Sequence, residues 1–236
     1  MNSENRTPDV QTPFEHRPAP APAANRPVAL TPAATYSLIA INVVVFLVET
    51  LAGGSEDIDT ALRFGALYLP LLTGNGEWWR LFTSMFLHFG IRHLGSNMLA
   101  LFALGPNVEI YFGRRRYLLI YFFSGICGGL LTIASALYLN PASAETTVSA
   151  GASGAIFGLL GTYIVFAMTP RLRRAFPLRR VLLSVLVSLY PALVDSSISM
   201  TAHVGGLIGG FLISLILNRG NMEMPKKTTE RRDLWG

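Results

Sequence analysis

The sequence predicts an all-α, polytopic membrane protein with six transmembrane helices. About half of its 236 residues are hydrophobic and only 14% are charged, whereas a soluble domain carries roughly 25% charged residues. Six apolar runs also approach the length of about 20 residues that a helix needs to cross a hydrocarbon core. These runs lie at residues 36–53, 93–112, 117–139, 153–168, 181–195 and 202–218.

The two ends of the chain differ from the apolar region between them. Residues 1–33 are rich in proline, alanine and polar groups, which predicts a disordered tail. Because this opening is too long for a signal-peptide n-region, we expect the run from Tyr36 to Ala52 to act as an uncleaved signal anchor. Residues 34–218 form the predicted membrane domain, and residues 219–236 form a second, basic tail.

A long connection separates the first two apolar runs. It holds scattered aromatic residues, including Trp78 and Trp79, and few charges. Aromatic residues of this kind concentrate at the membrane–water interface. We therefore expect an interfacial or partly embedded segment.

The basic residues predict the orientation. Clusters at 114–116 and 171–180, together with the arginines and lysines of both tails, fall on one side of a six-span topology. The positive-inside rule makes that side cytoplasmic, so both termini are expected in the cytoplasm. The same distribution accounts for the net charge of +5 without nucleic-acid binding. The single cysteine, Cys127, lies inside an apolar run and is expected to serve as a small packing residue.

Uncommon polar residues occur where spans two, four and six begin. These spans start with His93 and Asn97, with Ser153, and with His203. Since all three run inward from the outer face, these side chains should lie at a similar depth. The fourth and sixth spans measure only about 22 Å, at 1.5 Å per residue, against a core of about 30 Å. Ser153 and His203 are therefore expected to be recessed within the bilayer.

A recessed helix start can support acyl-transfer chemistry. Its free N–H groups cannot be satisfied by lipid, so the chain before it must line a cavity, where these groups favour an anion. A carbonyl attacked by Ser153 would form its oxyanion there, with His93 and Asn97 as further donors and His203 as a general base. His88 has a weaker claim and is expected only to shape the approach.

Plainer interpretations stand beside this one. The glycines at 151, 154, 158 and 161 and at 205, 206, 209 and 210 indicate close helix packing, which would also hold Ser153 near His203. Asn97 is equally suited to a hydrogen bond between helices. Glu49, Glu109 and Asp195 lie at helix ends, where snorkelling or capping explains them. Asp195 is also close enough in sequence to His203 to remain open as the third member of a triad, although we favour a dyad of Ser153 and His203.

Several motifs in order resemble those of the rhomboid intramembrane serine proteases. The motifs are Trp79-Arg80 in the first loop, His93 with Asn97, an acid at Glu109, Gly151-Ala152-Ser153-Gly154, and His203. The resemblance covers nearly all of the span region, and six spans are typical of the basic prokaryotic form. It implies a rhomboid-like bundle in a bacterial plasma membrane, with a site that opens to the outer face.

The resemblance also implies an activity. A dyad of Ser153 and His203 would cleave peptide bonds in or next to transmembrane segments of other membrane proteins. The Ser153 amide, Gly151, His93 and Asn97 would form the oxyanion and substrate-binding site, without a cofactor or metal. The family usually has tyrosine where this chain has Phe157, whose ring can still stack on His203. The first loop and the chain before span six are expected to be movable walls.

Two other functions are compatible with parts of the sequence. One is a catalytically silent, rhomboid-like adaptor that binds membrane-protein helices, although such a protein needs neither the serine nor the histidine. The other is a small-solute transporter, which is disfavoured because no internal repeat is visible. The substrate and the oligomeric state are not encoded in any recognisable motif.

Overall fold

The fold is a bundle of six long helices, described by a computed structural model for residues 31–143, 146–195 and 197–222. The long helices are α1 (Ala33–Ala52), α5 (Gly90–Phe112), α6 (Arg114–Tyr138), α7 (Ser153–Met168), α8 (Leu178–Val194) and α9 (Met200–Leu217). Shorter helices are α2 (Ile58–Phe64), α3 (Leu69–Asn75), α4 (Arg80–Thr83) and α10 (Arg219–Met222). The predicted tail at 1–33 lies outside the described residues up to position 30, as does the second tail from position 223.

The six predicted spans coincide with the six long helices. The fourth span is matched residue for residue by α7, and the other helices begin two or three residues before the apolar runs that predicted them. Helix α6 includes the basic cluster that begins at Arg114, because long charged side chains can lie along a helix end and reach the interface. Among the described residues, α1, α6 and α9 are long and apolar enough to cross a membrane, and α7 is a shorter apolar helix.

The loop between α1 and α5 is folded. It contains α2, α3 and α4, and it adds one element that the sequence did not predict, a two-residue strand. This strand, β1 (Leu67–Tyr68), pairs antiparallel with β2 (Val148–Ser149), which ends one residue before the GASG segment.

Arg80 connects separate parts of this loop through hydrogen bonds and an ion pair. It is 5% exposed and donates to the carbonyl oxygens of Leu62 at 2.8 Å and Ala66 at 3.0 Å. It also pairs with Glu77 at 2.6 Å, and its guanidinium lies 4.7 Å from the centre of the Trp79 ring. A buried arginine with these partners fixes α2 and α4 to each other.

Glycines bring α7 and α9 into backbone contact. A Cβ on Gly206 would overlap the carbonyl oxygen of Gly154, and one on Gly210 would overlap that of Gly158. Helix α6 joins the same contact, since a Cβ on Gly128 would lie 2.6 Å from the carbonyl oxygen of Ala202. The small residues therefore act as the predicted packing stripe.

The carboxylates do not all have the roles expected of helix-end groups. Glu109 is a cap, but for another helix: it accepts hydrogen bonds from the backbone N–H groups of Ala34 at 2.9 Å and Thr35 at 2.7 Å, where α1 begins. Snorkelling is wrong for Glu49, which is only 1% exposed. Its carboxylate lies against the backbone N–H of His88 instead, because α1 turns this residue toward the first loop.

Candidate active site

Ser153 is the first residue of α7. The chain reaches it through Gly151, whose φ of +130° is a conformation that only glycine adopts readily. The N–H of Gly151 donates to the carbonyl oxygen of Ser84 at 2.8 Å, which anchors this turn to the first loop. As the first helical residue, Ser153 has an amide N–H with no helical carbonyl partner, as every helix start does.

His203 lies in the first turn of α9 and is 6% exposed. The residue before it, Ala202, faces the start of α7: its carbonyl oxygen is 3.4 Å from the position of a Cβ on Gly154. Ser153 and His203 are thus direct chain neighbours of the two residues at this helix crossing. The glycine contact therefore places both residues at the same crossing of α7 and α9.

A cavity of about 810 Å³ opens at this crossing, and Ser153 and His203 both line it. Its wall also includes His93 and Gly151. The predicted mobile segments contribute as well, Phe89 from the first loop and Ser199 from the chain before α9. The cavity therefore joins the starts of α5, α7 and α9, which is where the sequence located its uncommon polar groups.

His93 and Asn97 approach the turn before Ser153. A Cβ on Gly151 would lie 2.9 Å from His93 Nε2 and 3.7 Å from Asn97 Nδ2. The Asn97 side chain is 7% exposed, and its Nδ2 has no hydrogen-bond partner among the described residues. A buried amide donor left unpaired is costly unless a ligand satisfies it.

His88 contacts the site more closely than the sequence suggested. It is 1% exposed, and its Nε2 faces the backbone N–H of Ala152 at 3.5 Å. Its ring meets that of His93 edge-on, with the centroids 5.0 Å apart. This histidine therefore contacts the turn before Ser153, and only its short sequence spacing from His93 could have indicated that contact.

Phe157 stacks on His203, as expected. Their ring centroids are 4.1 Å apart and their planes are inclined by 15°. Position 157 lies one helical turn after Ser153, so the ring that holds the imidazole belongs to the same helix as the serine.

Asp195 does not contact the histidine. Its Oδ1 accepts hydrogen bonds from the N–H of Ser197 at 2.9 Å and from its hydroxyl at 2.6 Å, and these bonds lower the pKa of the carboxyl group. His203 Nδ1 is buried and unpaired within the described part of the chain. The described residues also contain no cluster of three potential metal ligands.

These features define a multi-pass membrane protein in which a serine and a histidine share one cavity between helices. The family model of the Rhomboid domain matches residues 75–220. The rhomboid protease GluP of Bacillus subtilis is 38% identical over 190 residues, which cover 79% of this chain and 35% of that protein. The putative rhomboid protease YdcA of the same organism is 33% identical over 194 residues, 80% of this chain and 90% of that protein. AarA of Providencia stuartii, another rhomboid protease, is 29% identical over 204 residues, 78% of this chain and 72% of that protein.

The chain therefore belongs to the rhomboid family, a family of serine-type intramembrane peptidases. This confirms the resemblance that the ordered motifs indicated and the rhomboid-like bundle that it implied. The chain spans about a third of the length of GluP and most of the length of YdcA.

Proposed function

We propose that this protein is an intramembrane serine endopeptidase that cleaves peptide bonds in or next to transmembrane segments of other membrane proteins. The observation that carries the proposal is the shared cavity, which Ser153 and His203 line from two helices in backbone contact. The relatives named rhomboid proteases support the same activity.

In the proposed reaction, Ser153 Oγ attacks the scissile carbonyl carbon while His203 accepts its proton. The resulting oxyanion receives hydrogen bonds from the Ser153 amide and from the side chains of His93 and Asn97. The protonated His203 then gives its proton to the leaving amine, which departs and leaves an acyl-enzyme. A water molecule, deprotonated by the same histidine, hydrolyses the ester and restores Ser153.

The surroundings of His203 favour a dyad. The Asp195 carboxylate accepts a hydrogen bond from the Ser197 hydroxyl, and the Phe157 ring stacks on the His203 imidazole. Packing therefore orients the ring, with no carboxylate on its Nδ1 among the described residues. The open end of the cavity would supply water to the acyl-enzyme.

The location of the reaction follows the expected topology. With both termini in the cytoplasm, the starts of α5, α7 and α9 face the outer side of a bacterial plasma membrane. The short span of α7, 16 residues, would keep Ser153 below the lipid surface, where only a protein-lined cavity can admit water.

The test is substitution of each proposed catalytic residue in purified protein reconstituted with single-span membrane substrates. Ser153→Ala and His203→Ala should abolish cleavage, whereas Ser149→Ala, which removes another hydroxyl from the same cavity, should retain it. Undiminished cleavage by either of the first two variants would reject the dyad.

A substrate-free measurement separates the protease from a silent adaptor. A fluorophosphonate probe should label the parent protein at Ser153 and leave Ser153→Ala unlabelled. An unreactive Ser153 would favour the adaptor, whereas labelling without cleavage would mean that the substrates tested are wrong. Mass spectrometry of cleavage products would then identify the scissile bond.

A further inference from the structure

A second, smaller cavity lies away from Ser153, at the end of the bundle where α7 finishes and α8 begins. It is a groove of about 160 Å³. Helices α5 and α7, the 169–177 connection and the first two turns of α8 form its wall. Its lining includes Leu104, Leu160, Tyr163, Phe176, Arg180 and Val181.

The apolar side chains that line the groove are held in place by packing. The ring of Phe176 meets that of Tyr163 edge-on at a centroid distance of 5.1 Å. Val181 is 5% exposed and holds the start of α8 in place. Farther along α8, Leu182 and Leu183 are exposed, as expected of a helix that faces acyl chains.

The groove reaches well into one leaflet. Leu104 precedes the end of α5 by eight residues, and Leu160 precedes the end of α7 by eight. At 1.5 Å per residue, both lie about 12 Å from the basic end of the bundle. Since the hydrocarbon core is about 30 Å thick, this depth corresponds to most of a single leaflet.

The mouth of the groove is strongly basic. The segment from Arg171 to Arg180 contains five arginines and no acidic residue. All five are exposed, and none forms an ion pair within the part of the chain that the structure describes. Of these arginines, Arg180 lines the groove itself.

We propose that this groove binds one anionic phospholipid, with an acyl chain along Leu104 and Leu160 and the phosphate beside Arg180. The combination of an apolar groove and a basic mouth is the form that anionic lipid sites take between transmembrane helices. A zwitterionic headgroup would find no carboxylate in this segment for its cationic part. A soluble phosphate would leave the apolar groove unfilled.

The experiment is native mass spectrometry of the full chain in detergent, titrated with phosphatidylglycerol or with phosphatidylcholine. The parent protein should retain one phosphatidylglycerol more tightly than phosphatidylcholine. Arg180→Gln should weaken phosphatidylglycerol binding about fivefold, the worth of one cation near an anionic surface. Arg179→Gln is the matched control, because it removes the same charge from the neighbouring exposed position, which does not line the groove.

Arg180→Lys should recover part of the affinity, because it keeps the charge. Equal weakening by Arg179→Gln and Arg180→Gln would overturn the proposal, since it would indicate diffuse attraction to the whole basic segment. Equal retention of the two lipids, or displacement of bound lipid by inorganic phosphate alone, would also overturn it. None of these readouts depends on proteolysis.

Discussion

At the scale of single residues, the stack of Phe157 on His203 has the clearest consequence. An aromatic pair in this geometry contributes about 0.5–1.5 kcal/mol beyond the area it buries. Phe157→Leu keeps an apolar side chain but removes the ring, so the imidazole loses its support. We expect cleavage in the Leu variant to fall by a factor of about 2–12, measured as kcat on a reconstituted substrate.

Phe157→Tyr is the matched control, because it keeps the ring and restores the residue that the family usually has. It should cleave at least as fast as the parent protein. If the Leu variant were equally active, the stack would have no part in orienting His203.

Asn97 carries a second prediction at this scale. Its buried, unpaired Nδ2 lies beside the turn that leads to Ser153, where an oxyanion would form. Asn97→Ala should lower kcat by about 10²–10³ with little change in KM, the usual effect of losing one oxyanion donor. Asn107→Ala, on the same helix but with its amide already donated to the Tyr163 hydroxyl, should leave kcat near the parent value. A rise in KM alone would instead assign Asn97 to substrate binding.

At the scale of elements, the contact between α7 and α9 determines whether the two proposed catalytic residues meet. A methyl group on Gly206 would overlap the carbonyl oxygen of Gly154, so the helices would have to separate. We expect Gly206→Ala to lower the free energy of unfolding by about 1–3 kcal/mol and to reduce cleavage. Thermal or SDS-induced unfolding in detergent measures the first effect.

Gly95→Ala provides the control for this element. Gly95 also lies inside a helix, but a Cβ there has no neighbour within 4 Å. It should leave stability unchanged or raise it by up to about 1 kcal/mol, because alanine has the higher helix propensity. Equal stabilities for the two variants would mean that the backbone contact is not tight.

At the scale of the whole molecule, the basic clusters predict where each end of the bundle lies. The connections that carry residues 114–116 and 171–180 and both termini should be cytoplasmic. Green fluorescent protein fused at residue 236 should therefore fluoresce, and alkaline phosphatase fused there should be inactive. Fusions that end at residue 143, after the third span, should give the opposite result. An active phosphatase at residue 236 would contradict a cytoplasmic C-terminus and so the predicted orientation.

Much of this architecture could be predicted from the sequence, because membrane insertion depends on local properties. Apolar run length predicted the six long helices, and the GASG motif marked the start of α7 at Ser153. Glycine spacing predicted the contact between α7 and α9, and the resemblance to the rhomboid motifs indicated that Phe157 can stack on His203.

The remaining features depend on contacts between segments that are distant in the chain. The β1–β2 pair joins residues about 80 positions apart, and neither two-residue strand has a pattern of its own. Glu49 was expected to snorkel or to cap a helix end, yet α1 buries it against the backbone N–H of His88. The support that His88 gives to the Ala152 amide also arises from the packed first loop.

Composition and spacing determined which helices form and which polar groups share a depth, because those properties act within one segment. Tertiary packing alone decided which buried carboxylate and which histidine meet, because such partners are set by the distances between segments.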